Sequence, residues 1–140
     1  MNKEDKLLFL IDICSKLPYG LKATTKSGGW PDVYNVEGYK NDRIYLDYPI
    51  YDEGDDEWLV ESVVPYLRPM SSMTAAEEYE YHQCKNIDYL EFCKMEHTEM
   101  LKTTTLCFSR AINWLNAHHF DYYGLIEKGF ALVAPEGMYN

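Results

Sequence analysis

Apolar residues Leu7, Leu10, Ile11, Cys14 and Leu17 recur at intervals of three and four, which gathers side chains on one face of an α-helix. The pattern predicts a helix over residues 3–17 with that stripe inward and Lys6, Asp12 and Lys16 outside it. Asn2 suits the N-cap, Glu4 and Asp5 suit the positive end of the helix dipole, and Lys16 suits the last turn. Pro18 stops the helix and Gly20 redirects the chain.

Over residues 20–69 the period shifts to two. Leu21, Ala23 and Thr25 alternate with Lys22, Thr24 and Lys26; Tyr34 and Val36 alternate with Val33, Asn35 and Glu37. Ser27-Gly28-Gly29 and Gly38 to Asp42 read as turns. Residues 43–47 give the cleanest strand, with Ile44 and Leu46 facing inward and Lys22, Lys26 and Arg43 facing water. Trp58-Leu59-Val60-Glu61 continues the series. Pro65 and Pro69 argue against a central strand over 62–69 and for a short 3₁₀ turn. Short strands at this spacing predict a small antiparallel barrel or strongly bent sheet of SH3-like kind, with the first helix over one opening.

Helical signals return over 74–129. Thr74-Ala75-Ala76-Glu77 is a capping box opening a helix over 75–83, and a second helix is expected over 86–101 with Ile87, Leu90 and Cys93 on one face. Ser109 suits the cap of a third helix carrying Ile112, Trp114 and Leu115. Asp121 suits the cap of a short helix through Lys128, Gly129 suits a left-handed C′ position, and 130–133 suits a closing strand. Residues 1–140 thus read as one α+β domain.

Composition narrows the functional classes. The hydrophobic fraction is 46% and the aromatic fraction 15%, enough apolar material for a packed core. A net charge of −10 and the lack of any basic run disfavour direct contact with nucleic acid or an anionic membrane. No run approaches the ~18 apolar residues of a membrane span. The start lacks the features of a signal peptide, and Cys14, Cys84, Cys93 and Cys107 lack framework spacing. Together these predict reduced thiols in a cytoplasmic protein.

Candidate chemistry concentrates in His118, His119 and Asp121. Adjacent helical residues point about 100° apart, so one metal reaches both imidazoles only where the helix unwinds. The competing reading is capping: histidines at a helix C-terminus can bond carbonyls, and Asp121 can bond the next N–H groups. His82, Cys84, Cys93, His97 and Cys107 lack the close-spaced pairs of a zinc site. Five carboxylates among residues 52–57 lack calcium-loop spacing and read as a solvated loop, or as an acidic contact for a basic partner. No nucleophile elbow or phosphate loop is present and no cofactor is implied, so the expectation is a non-enzyme. Tyr34, Tyr45, Tyr48, Tyr51 and Trp58 cluster along the strands beside that acidic loop, the composition of a recognition patch. The competing reading places such rings in the core.

Three pieces, 68–74 (Arg-Pro-Met-Ser-Ser-Met-Thr), Trp114 to Tyr122, and Gly124 to Gly129 with 134–139, resemble a family of small proteins encoded by phages and prophages of gut Bacteroides and their relatives. Leu-Pro-Tyr-Gly at 17–20 and Pro-Tyr-Leu-Arg-Pro at 65–69 are similar to that family as well. The likeness covers most of 1–83 and 106–140, leaves out 84–105, and departs at Tyr123, where an arginine is expected. The resemblance implies an accessory protein of a mobile element and brings no catalytic residues. The expected function is a non-enzymatic protein-interaction module, engaging a protein partner or a second copy. The alternatives are an enzyme or metal site at His118, His119 and Asp121, and an acidic inhibitor or DNA mimic acting on a host protein.

Overall fold

The computed structural model describes residues 1–27, 33–47 and 57–139. Helix α1 (Lys3–Lys16) starts where Asn2 accepts the Asp5 N–H at 2.8 Å, the expected N-cap. A 3₁₀ turn over Leu17–Tyr19 then leads through Gly20, in the left-handed region, into strand β1 (Lys22–Thr25). Strands β2 (Tyr34–Lys40) and β3 (Arg43–Leu46) form a hairpin. Asn41 and Asp42, with φ of 53° and 61°, make the two-residue turn that matches strand twist. Strand β4 (Glu57–Leu59) pairs with β3, and a register shift between Val36 and Gly38 marks an irregularity in β2. As the alternation predicted, Ile44 and Leu46 are buried while Lys26 is exposed and Lys22 and Arg43 are half-buried.

The α+β class holds, and the sheet is open and mixed rather than a closed antiparallel barrel. The strand order is β4-β3-β2-β1-β5-β6, with β7 also on β5. Strand β5 (Val63–Pro69) is therefore a hub, not the expected 3₁₀ turn. It pairs antiparallel with β1 and parallel with both β6 (Phe120–Asp121) and β7 (Leu132–Val133). The prolines mislead because one sits at the strand end and the other in a tolerant register. Lys26 donates to the Ser62 carbonyl, so strict alternation makes Ala23–Pro65 a non-bonded pair. The Pro65 nitrogen then points away from β1, and its missing hydrogen removes no rung there. The real 3₁₀ turns flank the strand, at Val60–Ser62 and Met70–Ser72.

Helix α2 (Ala75–Cys84) opens with the predicted capping box: Thr74 and Glu77 bond each other's backbone N–H. The following segment differs from expectation. A short helix α3 (Tyr89–Cys93), capped by Asp88, precedes a long α4 (His97–Ala117), and Ser109 lies within α4 rather than capping it. The threonine run before Ser109 stays helical: Thr105 bonds back to the Leu101 carbonyl at 2.8 Å, keeping its hydroxyl satisfied inside the helix. After β6 comes a turn rather than a full helix, closed as expected by Gly129 at φ 81°. The Phe130 N–H reaches the Leu125 carbonyl and the Gly129 N–H reaches that of Ile126, the paired bonds of a Schellman end.

The core lies between α1, the inner face of the sheet and the 125–131 turn, with Phe9, Ile13, Leu21, Ile44, Leu46, Leu67 and Leu125 fully buried. The face of α1 that enters it carries Phe9, Asp12, Ile13 and Lys16. Of the predicted stripe, Leu10 and Leu17 pack against the core, whereas Leu7, Ile11 and Cys14 are exposed. Because Ile44 is sealed from water, Ile44→Asp is expected to abolish cooperative unfolding. An unpaired core charge costs several kcal/mol against a total of ~5–15. A normal thermal melt of that variant would contradict the β3 register.

Candidate functional site

The charged residues expected outside the α1 stripe make the most unusual environment in the molecule. Asp12 and Lys16 are one helical turn apart, both fully buried, and ion-paired through Lys16 Nζ and Asp12 Oδ1. Lys16 Nζ also donates to Asn116 Oδ1 at 3.2 Å and lies 4.6 Å from the centre of the Tyr122 ring. The Tyr122 hydroxyl donates to the same Asn116 oxygen at 2.9 Å. Burial pushes the Asp12 carboxyl up and the Lys16 ammonium down, so each ion is held charged mainly by the other. Burial likewise lifts the Tyr122 hydroxyl to about 12, keeping it a donor at neutral pH. Asp12 Oδ2 has no hydrogen-bond partner among the described residues. A sequence signal existed in the Asp–Lys spacing of four, but that spacing is equally common on wet helix faces.

The histidine motif adjoins this cluster and is consumed by structure. His118 caps α4, its Nδ1 bonded to the Trp114 carbonyl at 2.9 Å and its ring stacked on Trp114 at 4.0 Å. His119 adopts φ 60°, taking the left-handed position that usually falls to glycine after a helix. Its ring nitrogen Nε2 lies 2.7 Å from the Tyr19 carbonyl, which can only accept, so Nε2 carries the proton. The carbonyl of His119 accepts from the Arg68 N–H at 2.8 Å, and its ring stacks on Tyr139 at 3.6 Å. Asp121 accepts from the N–H groups of Leu125 and Ile126 at 2.8 and 2.9 Å, so it ties down the 125–129 turn that stands where a helix capped by Asp121 was expected. The three side chains thus bond three separate stretches of backbone rather than converging. Among the described residues no group of three His, Cys, Asp or Glu side chains is placed to hold a metal. The four cysteines are free, with Cys14 and Cys93 exposed and Cys107 buried.

Two fastenings around His119 lacked any sequence signature. The Tyr139 hydroxyl accepts from the Lys22 N–H at 3.0 Å and donates to the Tyr66 carbonyl at 2.7 Å, bridging β1 and β5 where they diverge. Arg68 forms a bidentate pair with Glu77 at 2.7 and 2.8 Å and lies over the Phe120 ring at 4.3 Å. The Arg68 hydrogen bonds hold the Glu77 carboxyl down at about 2 and tie the start of α2 to the sheet.

Three residues of the expected aromatic patch are described, and one of them is core. Tyr34 is a core residue, and Trp58 is half-buried and packs against the core. Tyr45 is half-buried, its hydroxyl donating to Glu57 Oε1 at 3.0 Å across the β3–β4 pair. Tyr48, Tyr51 and residues 52–56 of the acidic loop lie outside the described residues. Alternation explains the correction: Tyr34 shares the inward parity of Val36, so its ring follows Val36 inside.

A different apolar surface appears on the helices. Neither α2 nor α3 contains a buried residue, and α4 buries only Cys107, Ala111, Leu115 and Asn116, from its midpoint onward. On this segment Tyr89 and Leu90 are 75% and 73% exposed, Tyr79 and Phe108 68% and 64%. Leu101 and Leu106 are exposed as well. The segment is held on its inner side by the Arg68–Glu77 pair and by a ring stack, Tyr81 against Trp114 at 5.7 Å and Trp114 against Phe120 at 5.8 Å. The sequence places Leu90 on an apolar helical face, but nothing local shows that this face is left uncovered.

No protein-family model, no curated protein and no solved structure matches the chain. No helix among the described residues is long and apolar enough to cross a membrane.

Burial lowers the His119 imidazole to about 4 from an ordinary 6.5. The unfolded chain therefore binds this proton first, so the His119 contribution is whole above pH 6.5 and lost as pH falls toward about 4. Asp12, raised by burial, acts in the opposite sense, so the difference between variants is the readout. Urea unfolding of wild type and His119→Asn across this window is expected to show a shrinking gap as pH falls. A gap independent of pH would contradict a buried neutral imidazole.

Proposed function

We propose that the chain is a non-enzymatic protein-interaction module whose contact surface lies on α2, α3 and the first half of α4. We further propose that it serves a phage or prophage as an accessory protein in the bacterial cytoplasm. The carrying observation is the run from α2 into α4, which buries no residue up to Leu106 yet bears Tyr79, Tyr89, Leu90, Leu101 and Leu106. Scattered apolar residues on a surface are ordinary, whereas large ones concentrated on a segment with no core of its own are typical of a covered face. Tyr and other large rings are also the usual energetic centres of interfaces.

The phage context is supported by the resemblance at 68–74, 114–122, and 124–129 with 134–139. Residues 84–105 fall outside that resemblance and carry Tyr89, Leu90 and Leu101. The His118, His119 and Asp121 alternative gains no support, because each group is already bonded to backbone. An acidic decoy and an apolar contact differ in their response to salt, since screening weakens the former steeply.

The test compares host proteins captured by wild type and by the Tyr89→Ser/Leu90→Ser variant across a salt series. Both residues are exposed, so the variant's stability is expected to stay within ~0.5 kcal/mol of wild type. Capture should survive high salt in wild type and be lost in the variant. Capture that disappears with salt, or that the variant retains in full, would overturn the proposal.

A further inference from the structure

We propose that α4 pairs antiparallel with α4 of a second copy of this chain, along Leu101, Thr105, Phe108 and Ile112. This rests on reading the helical segment as an interaction surface, and it names one occupant. All four residues are exposed and follow one another at intervals of four, three and four. That is the alternation of a coiled-coil seam, in which knobs from one helix enter holes on the other.

The seam is complementary to itself in one orientation. A two-fold axis between Leu106 and Cys107 sets Leu101 opposite Ile112 and Thr105 opposite Phe108 of the other copy. Each layer then joins two branched aliphatic chains, or a small residue and a large ring. A parallel pair would set Phe108 against Phe108 and Thr105 against Thr105, crowding one layer and underfilling the next.

Charge favours the same surface. The chain carries a net −10, which drives two copies apart over most of their area. Residues 97–113 hold one acidic residue, Glu99, against two basic ones, Lys102 and Arg110. At about 100° per residue, Glu99 and Arg110 lie on the side of α4 away from Leu101. Lys102 flanks the seam, where the antiparallel register brings Ser109 of the second copy beside it, so no like charges meet.

Extent sets the strength. From Leu101 to Ile112 the seam runs for about 17 Å of helix. A seam this short buries less than the ~800 Å² per partner of a standard interface, so the pairing is weak and concentration-dependent.

The experiment is sedimentation of the full chain from low micromolar to millimolar concentration, with Leu101→Lys, Ile112→Glu and an equal mixture of the two. Wild type should shift from 16.4 kDa toward twice that mass. Each variant alone should remain a monomer at tenfold higher concentration, with its thermal transition intact. The mixture should associate again, because only the antiparallel register brings the new lysine against the new glutamate. Wild type that stays monomeric throughout would overturn self-pairing. A mixture that stays monomeric while wild type associates would overturn the antiparallel register. Host-protein capture through Tyr89 and Leu90 is independent of either outcome, so loss of self-pairing with retained capture leaves the wider surface standing. Loss of both removes it.

Discussion

A carboxylate and an ammonium taken out of water on the inner face of α1 set the conditions for the rest of the fold. The effective cost of such burial, after the protein relaxes around the ions, is several kcal/mol per ion, and mutual attraction offsets it only when other polar groups complete the site. For Lys16 those groups are Asn116 at the end of α4 and Tyr122 just beyond β6. Helix α1 therefore cannot settle on the sheet as a purely apolar wedge. In the fold, Phe9 and Ile13 enter the core on the same face whose charge is received by Asn116 and Tyr122. This couples the first element of the chain to nearly the last, and it gives the α4 terminus one defined position.

Around that position the chain end is tied repeatedly. His119 links the turn after α1, β5 and Tyr139 through its ring, its carbonyl and a stack. Tyr139 in turn spans β1 and β5, and Arg68 fixes the start of α2 through Glu77. The polar residues with the strongest chemical look in the sequence are thus those that hold the C-terminal pieces in place. The apolar residues with the least distinctive spacing, on α3 and the exposed side of α4, are left facing water. Tight closure at one end and an uncovered helical face at the other is the division of labour that supports an interaction module.

What could be read from sequence was local. The Asn2 cap, the Thr74–Glu77 capping box, the parity of Ile44 and Leu46 and the Gly129 stop all depend on neighbours within a few residues. What was misread depended on distant partners. Pro65 is acceptable because of its register against Ala23, which lies 42 positions earlier. Asp12 and Lys16 face inward because of Asn116 and Tyr122, so an amphipathic reading turned α1 toward the wrong face. Between patch and core for Tyr34, its parity with Val36 inside β2 is what decides for the core. For the histidines, the capping reading was right in kind, but nothing local revealed that the His119 ring would close the gap between Tyr19 and Tyr139.

The dependence on the buried pair is tested most directly by unfolding free energies of Lys16→Met, Asp12→Leu and the double variant. Removing one partner should cost about 3–5 kcal/mol, because it strands the other charge in the core. The double variant should recover most of that loss, since two apolar chains of similar size remove both desolvation costs. Single variants as stable as wild type, or a double variant no better than the worse single, would show that the Asp12–Lys16 pair does not govern how α1 docks.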